Sequence, residues 1–508
     1  MTLDLFQLIG GEHHVPDILE CFANLSSNEI PTSPELTNRI LDLLPEDVWS
    51  DPTLRWLEPS ATTGVFLREA AARLMVGLEP SIPNEDERRE HILRNMLFGI
   101  AQTALSAEIA RRSLYYSRDA SSDHSVVRFD NPEGNIAFEQ GKHTFANGKC
   151  CVCGALEELE RGNALENYSY SFIHMTSEEK EDTKMKFDVI VGNPPYQLDD
   201  GGHGASAAPI YHLFVKQAIE LAPRYITMII PSRWFAGGKG LDTFRKEMLD
   251  DKHLDVLVDY PDATECFPGV VIKGGVCYFL RDREADNTSK GCAITTVRKG
   301  KQSPTVRRKL DGYDVLIREN ESVSILEKVK VEGLPTVSAC VASRKPFGLP
   351  TNFTDFTNTP TQDDDVKLYA RGCVGWVARE KVQKNTAWID KWKVLTPMAA
   401  TGDGRIPNAV LAKPIVAAPG SCCTETYLVM KTFDTEEEAE HFATYLKTRM
   451  FRFLVSLRKN TQHLNRDRFR FVPDLPINQT WTDEELYKRY NLTPDEISFI
   501  EGNVKAMP

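Results

Sequence analysis

The chain has 508 residues, 41% of them hydrophobic and 26% charged, and no apolar run reaches the 18 residues of a membrane-spanning helix, so two large globular domains are expected. The first residues lack a basic leader, and eleven cysteines over this length are too dilute for a disulfide framework, which points to a cytoplasmic protein with no membrane partner. With 60 Lys and Arg against 73 Asp and Glu, the formal charge is −13; this excludes general coating of nucleic acid and leaves only a local basic cleft.

From residue 29 to about 281, short β-branched runs alternate with helical periods, the pattern of a doubly wound, Rossmann-like α/β sheet. Strands are expected at 54–58, 97–100, 187–192, 225–230, 254–259 and 275–280. Helices are expected at 34–44, 66–78, 103–114, 210–221 and 241–250. Residues from about 117 to 160 are polar and cysteine-bearing and read as an insertion. The first domain is therefore placed at 1–282, followed by a charged connection at 283–305. A mixed α+β domain is placed at 306–508, with one helical stretch at 435–457. A small helical tail follows, with start signals at Thr482 and Thr493.

The chemistry concentrates in FDVIVGNPPY, residues 187–196. An apolar strand ends at Gly192 and meets Asn193-Pro194-Pro195-Tyr196. Two consecutive prolines lock φ and remove both amide donors, so this backbone offers only carbonyl acceptors. Together with the Asn193 side-chain carbonyl, they can receive both hydrogens of one –NH2 group. An adenine amine needs such a site, because its lone pair is delocalised into the ring and must be localised before it can attack a sulfonium methyl. Tyr196 supplies a flat face for an extruded base. The plainer alternative is an Asn-Pro turn after a buried strand.

This motif resembles the catalytic motif of N6-adenine DNA methyltransferases, notably the gamma class of restriction–modification systems. The resemblance covers about residues 29–281 and extends more loosely to the C-terminus. It implies a domain dependent on S-adenosylmethionine, followed by a target-recognition domain. It also implies double-stranded DNA as partner, a flipped adenine, and direct methyl transfer with no covalent enzyme intermediate. A restriction endonuclease or defence subunit, if coupled, would be a separate partner. Rivals are a catalytically weakened DNA-binding relative and a methyltransferase acting on a protein glutamine amide.

The stretch 56–67, WLEPSATTGVFL, is similar to the family's cofactor loop: a strand ending near an acid, a tight turn, then a helix N-terminus. The resemblance assigns Glu58 to the cofactor ammonium and Ser60, Thr63, Gly64 and Phe66 to the same site, with Thr32 from the preceding segment. The family's first loop glycine is Thr62 here. Its ribose-binding acid is also missing after the second strand, where Gln102 is the substitute. Asn163, within 161–165 (RGNAL), stands where the family has an acid near the adenine ring. Phe267 matches the aromatic residue that stacks on the other face of the target base.

Cys150 and Cys153 form a C-x2-C followed by glycine, and His143 and His174 are further ligands for a structural zinc; free thiols are the alternative. The densest positive run contributes Arg458, Lys459, Asn460, Arg466, Arg468 and Arg470 as candidate DNA contacts, against the alternative of a solvated helix end.

Overall fold

The computed structural model describes residues 30–139, 141–157, 170–198, 208–330, 333–399, 407–459 and 463–507. The chain divides into two compact units, Met1–Gly312 and Tyr313–Pro508.

In the first unit, ten strands among the described residues form one sheet. Within it β1 (Trp56–Ala61) is flanked by β2 (Leu97–Ala101) and β6 (Val189–Gly192), both parallel to it. Beyond β6 lie β7 (Tyr225–Pro231), the antiparallel β9 (Val276–Asp282) and β8 (Leu254–Tyr260). Every residue of β1, β6 and β7 is buried; β6 and β7 are accordingly mostly apolar runs rather than alternating ones, while β1 buries Glu58 and Ser60 among its apolar residues. Helices α1 (Pro34–Leu41), α2 (Val65–Gly77), α4 (Ala104–Tyr115), α6 (Tyr211–Glu220) and α7 (Asp242–Asp250) match the predicted periods, with ends displaced by up to three residues. A further helix, α3 (Glu85–His91), arises from a charged stretch without apolar periodicity. The chain leaves β1 toward β2 on one side and returns to β6 on the other. Between their carboxyl ends the connections diverge, which is where a doubly wound sheet opens a crevice.

Two expected boundaries are corrected. The supposed insertion supplies β3 (Ile136–Ala137), an edge strand parallel to β2, before its hairpin β4 (Phe145–Ala146) and β5 (Lys149–Cys150) leaves the sheet. The supposed connection supplies β10 (Cys292–Arg298), parallel to β8, with β11 (Lys301–Gln302) and β12 (Val306–Arg308) paired to it. The charged flanks around CAITTV hid a strand buried at six of its seven positions.

Among the described residues the second unit holds two three-stranded sheets. One is β14 (Cys373–Val377), β13 (Val366–Ala370) and β17 (Ser421–Cys423). The other is β16 (Ile415–Ala417), β15 (Trp392–Pro397) and β18 (Tyr427–Phe433). They share a core that includes Phe347, Leu368, Ile389, Leu395 and Val429. The single helix expected at 435–457 is two: α9 (Glu436–Lys447) and α10 (Arg449–Ser456). Thr448 adopts an extended conformation between them, and its hydroxyl accepts from Phe451 N to start the second. Thr482 and Thr493 each cap a helix, α11 (Asp483–Arg489) and α12 (Pro494–Asn503), through reciprocal bonds with Glu485 and Glu496.

Candidate active site

A cleft at the carboxyl ends of the central strands is lined by Ile30, Thr62 and Gln102 and by the run Asn193–Tyr196. The Asn193 amide donates both protons, to Ile30 O at 3.0 Å and to Thr32 Oγ1 at 3.2 Å. That leaves its Oδ1, a buried acceptor with no hydrogen-bond partner. Such an orphan costs about 1–3 kcal/mol. Ser60 Oγ donates to the Asn193 backbone carbonyl at 3.1 Å. Thr32 and Ser60, expected at the cofactor, thus hold the Asn193–Tyr196 loop itself.

Tyr196 follows the two prolines and is buried; burial pushes its phenol well above the usual range. Its ring meets Phe267 edge-on at 6.5 Å and 72°, and Tyr211, which opens α6, at 6.5 Å and 81°. A base in contact on both faces needs about 7 Å between parallel planes. In the geometry present, Phe267 packs beside Tyr196 rather than facing it.

The loop after β1 has one left-handed residue, Gly64, with φ 67°. A Cβ there would lie 3.0 Å from Ala110 Cα in α4, so glycine is required where two helices meet. Thr62 needs no such conformation, and its departure from the family pattern leaves the loop unstrained. Three buried oxygens around this loop lack hydrogen-bond partners: Glu58 Oε2, Thr63 Oγ1 and Gln102 Oε1. Gln102 also donates to Ser60 O at 3.5 Å. Phe66 is 1% exposed and belongs to the core, not to the cleft lining. Asn163 lies outside the described residues.

Burial raises the Glu58 carboxyl to about 8, against a smaller lowering by a hydrogen bond from the Leu67 backbone. The folded chain therefore keeps a proton that the unfolded chain releases. This contribution to stability is complete below the unfolded value of 4.5 and is lost as pH rises toward 8. The stability of the wild type relative to Glu58→Gln is expected to fall by about 1.4 kcal/mol per pH unit across that window. Paired denaturant titrations measure it, and a difference independent of pH removes the raised pKa.

A family profile described as the Eco57I restriction-modification methylase matches residues 95–267. A protein of Mycoplasma pneumoniae (strain ATCC 29342 / M129 / Subtype 1) described as an uncharacterized adenine-specific methylase is 39% identical over 306 residues, covering 54% of this chain and 72% of that one. The chain belongs to the adenine-specific methylases of restriction–modification type. Among solved structures, the type IIL restriction–modification enzyme MmeI in complex with DNA is 13% identical, with a TM-score of 0.45 over 85% of this chain and 62% of that one. The M protein of the type I restriction enzyme EcoKI is 13% identical, with a TM-score of 0.36 over 55% of this chain and 51% of that one. The methylase thus spans between about half and two thirds of these solved chains.

This methylase also carries a second constellation. Asn147 and Gly148, at φ 53° and 74°, turn the β4–β5 hairpin. The turn after it brings Cys150 and Cys153 together with His143 and His174, their ligand atoms all within 4.8 Å of one another. Cys150 Sγ lies 3.5 Å from His174 Nε2, and Cys153 Sγ lies 3.5 Å from His143 Nδ1. Burial alone would raise the Cys150 thiol. The backbone N–H groups of Cys153 and Val152, with the two imidazoles, outweigh it and bring the thiol down to about 5. Cys153 is pushed up to about 12, first by burial. His174 Nδ1 is 2.8 Å from Tyr170 O, a bond that leaves Nε2 facing the thiols. All four residues expected from the sequence meet at one point.

The basic run is different. Arg458 is 2% exposed and forms a two-pronged pair with Asp314, plus a bond to Asp467 at 3.0 Å. Arg470 joins the same two carboxylates at 3.0 and 2.9 Å. Lys459 donates to Val410 O at 2.6 Å, Arg466 to Ser338 O at 2.6 Å, and Arg468 to Arg458 O. Asn460 lies outside the described residues. The expectation that Arg458 and Lys459 hold phosphates is corrected: Asp314 and Asp467 take up Arg458 and Arg470, and the Lys459 ammonium is turned onto a backbone carbonyl. Arg458→Ala is expected to lower the stability of this unit by about 2–3 kcal/mol, less than for a pair with both partners buried. It should leave the salt dependence of DNA affinity unchanged; denaturation and salt titrations read the two effects, and an altered slope restores the DNA-contact reading.

Proposed function

We propose that this chain transfers a methyl group from S-adenosylmethionine to the N6 amine of an adenine flipped out of double-stranded DNA at a specific site. Membership of the adenine-specific methylases supports the reaction class. The observation that carries the mechanism is the unpartnered Asn193 Oδ1, beside a backbone whose two prolines can only accept. Ile30 and Thr32 hold the amide so that this oxygen is preset toward the cleft, which removes the reorganisation that water would require. Tyr196 offers an apolar face at the same place.

The three unpartnered oxygens around the β1 loop fit the cofactor: Glu58 for its ammonium, Gln102 Oε1 for a ribose hydroxyl, and Thr63 beside the helix start. When bound, the cofactor supplies an electrophilic methyl on sulfur. The four Cys and His residues fit one zinc ion, which has no part in the transfer and holds the hairpin to the sheet domain. We assign Tyr313–Pro508 to target recognition. The chain then acts in the cytoplasm as the modification component of a restriction–modification or related defence system, any nuclease being a separate partner. The test is base-resolution mapping of N6-methyladenine in DNA from cells expressing the wild type or Asn193→Ala. A sequence motif methylated only by the wild type is expected; two identical maps overturn the reading.

A further inference from the structure

The cations of the run at 458–470 belong to the second unit. A different set of cations lies on the first unit. Ser232 N donates to Gly275 O at 3.0 Å, and Pro231 pairs with Val276 across β7 and β9, so the segments leaving and entering these strands run side by side. This places Arg233 next to Lys273: a Cβ on the intervening Gly274 would lie 3.9 Å from Arg233 Cα. Lys239 stands on the following loop, where residues 237–240 all have positive φ, from 53° to 84°. A lysine between three glycines in this conformation is held away from its ordinary backbone preference, as happens at ligand clamps. Burial and the charges of Arg233 and Lys273 together lower the Lys239 ammonium, so the three cations share one field.

Among the described residues none of the three forms an ion pair, and Arg233 Nε is buried with no hydrogen-bond partner. The cluster adjoins the site. The Arg233 charge acts on Tyr211, whose ring lies against Tyr196, and Lys273 sits on the loop that follows Phe267. At the tip of that loop Val271 is 81% exposed, an apolar residue among cations.

We propose that Arg233, Lys239 and Lys273 form a phosphate-holding surface that grips the DNA backbone beside the flipped adenine. The proposal rests on DNA as the substrate. Cations spread around an apolar tip fit a polyanionic nucleic-acid backbone next to an opened base stack and do not fit a neutral small molecule. Each phosphate contact adds about 0.9 to the slope of log affinity against log salt. The combined variant Arg233→Gln, Lys239→Gln, Lys273→Gln is expected to reduce that slope by about two to three units. Its cofactor affinity should stay within a few-fold of wild type.

The experiment titrates a duplex bearing the methylated motif against wild type and variant at several salt concentrations. A parallel measurement uses Lys239→Gln, Lys273→Gln, which leaves the partly buried Arg233 in place and should lose about two units of slope. If the wild type binds DNA with a steep slope and both variants keep it, the surface proposal is overturned while the function stands. If the wild type itself shows no salt-dependent DNA binding, the DNA reading fails first. Loss of cofactor binding together with the slope also counts against the proposal, since these residues lie outside the cofactor loop.

Discussion

Replacing Asn193 by alanine is expected to reduce methyl transfer by at least a hundredfold to a thousandfold, the range seen when one preorganised polar group is removed from an active site. Asn193 Oδ1 is the only side-chain acceptor in the Asn193–Tyr196 run that is held by two bonds through its own amide, to Ile30 O and Thr32 Oγ1. Without it, the amine faces the proline-loop carbonyls alone and its lone pair stays delocalised. Cofactor affinity should change only a few-fold, because the unpartnered oxygens around the β1 loop are untouched. Single-turnover transfer with a labelled methyl donor separates the two effects. A variant that turns over like the wild type would remove Asn193 from the chemistry.

The second large effect concerns the metal. The protein as purified should carry about one zinc per chain, and Cys150→Ser with Cys153→Ser should lose it. The four ligand atoms within 4.8 Å would otherwise bring together a low-pKa thiolate and two imidazoles with nothing to bind. The loss is expected to destabilise the first unit by upward of about 4 kcal/mol, since structural zinc often decides whether a small element folds. The damage should reach beyond the hairpin. His174 ends a helical turn, Ser171–His174, whose Phe172 stacks on Phe214 at 5.8 Å, while Tyr170 meets the same ring at 5.5 Å. Phe214 lies on α6, the helix that begins with Tyr211 against Tyr196. Elemental analysis and thermal unfolding with and without a chelator check this. Metal-free protein with both thiols reacting freely would sink the site.

Strands β6 and β7 were legible because they are buried on both faces and read as near-continuous apolar runs. Helix starts at Thr435, Thr482 and Thr493 were legible because capping is local, set by residues three apart. What was missed is non-local. β10 is a strand only because β8 receives it, and α3 follows from caps and first-turn acids rather than from an apolar stripe. The break at Thr448 in the helical stretch rests on a single extended residue, which apolar periodicity does not register.

The candidate site divides in the same way. The sequence by itself determined the chemistry on offer: an acceptor-only backbone at Pro194-Pro195, an amide at Asn193, an acid at Glu58 and four soft ligands, because these depend on residue type. Only the tertiary structure decided which groups are left without partners. Asn193 Oδ1 is free because Ile30 and Thr32, some 160 residues earlier, take its protons. Arg458 is not free because Asp314, 144 residues earlier, reaches it. Charge density along a chain is a local quantity, whereas the neutralisation of that charge depends on distances that exist only after folding.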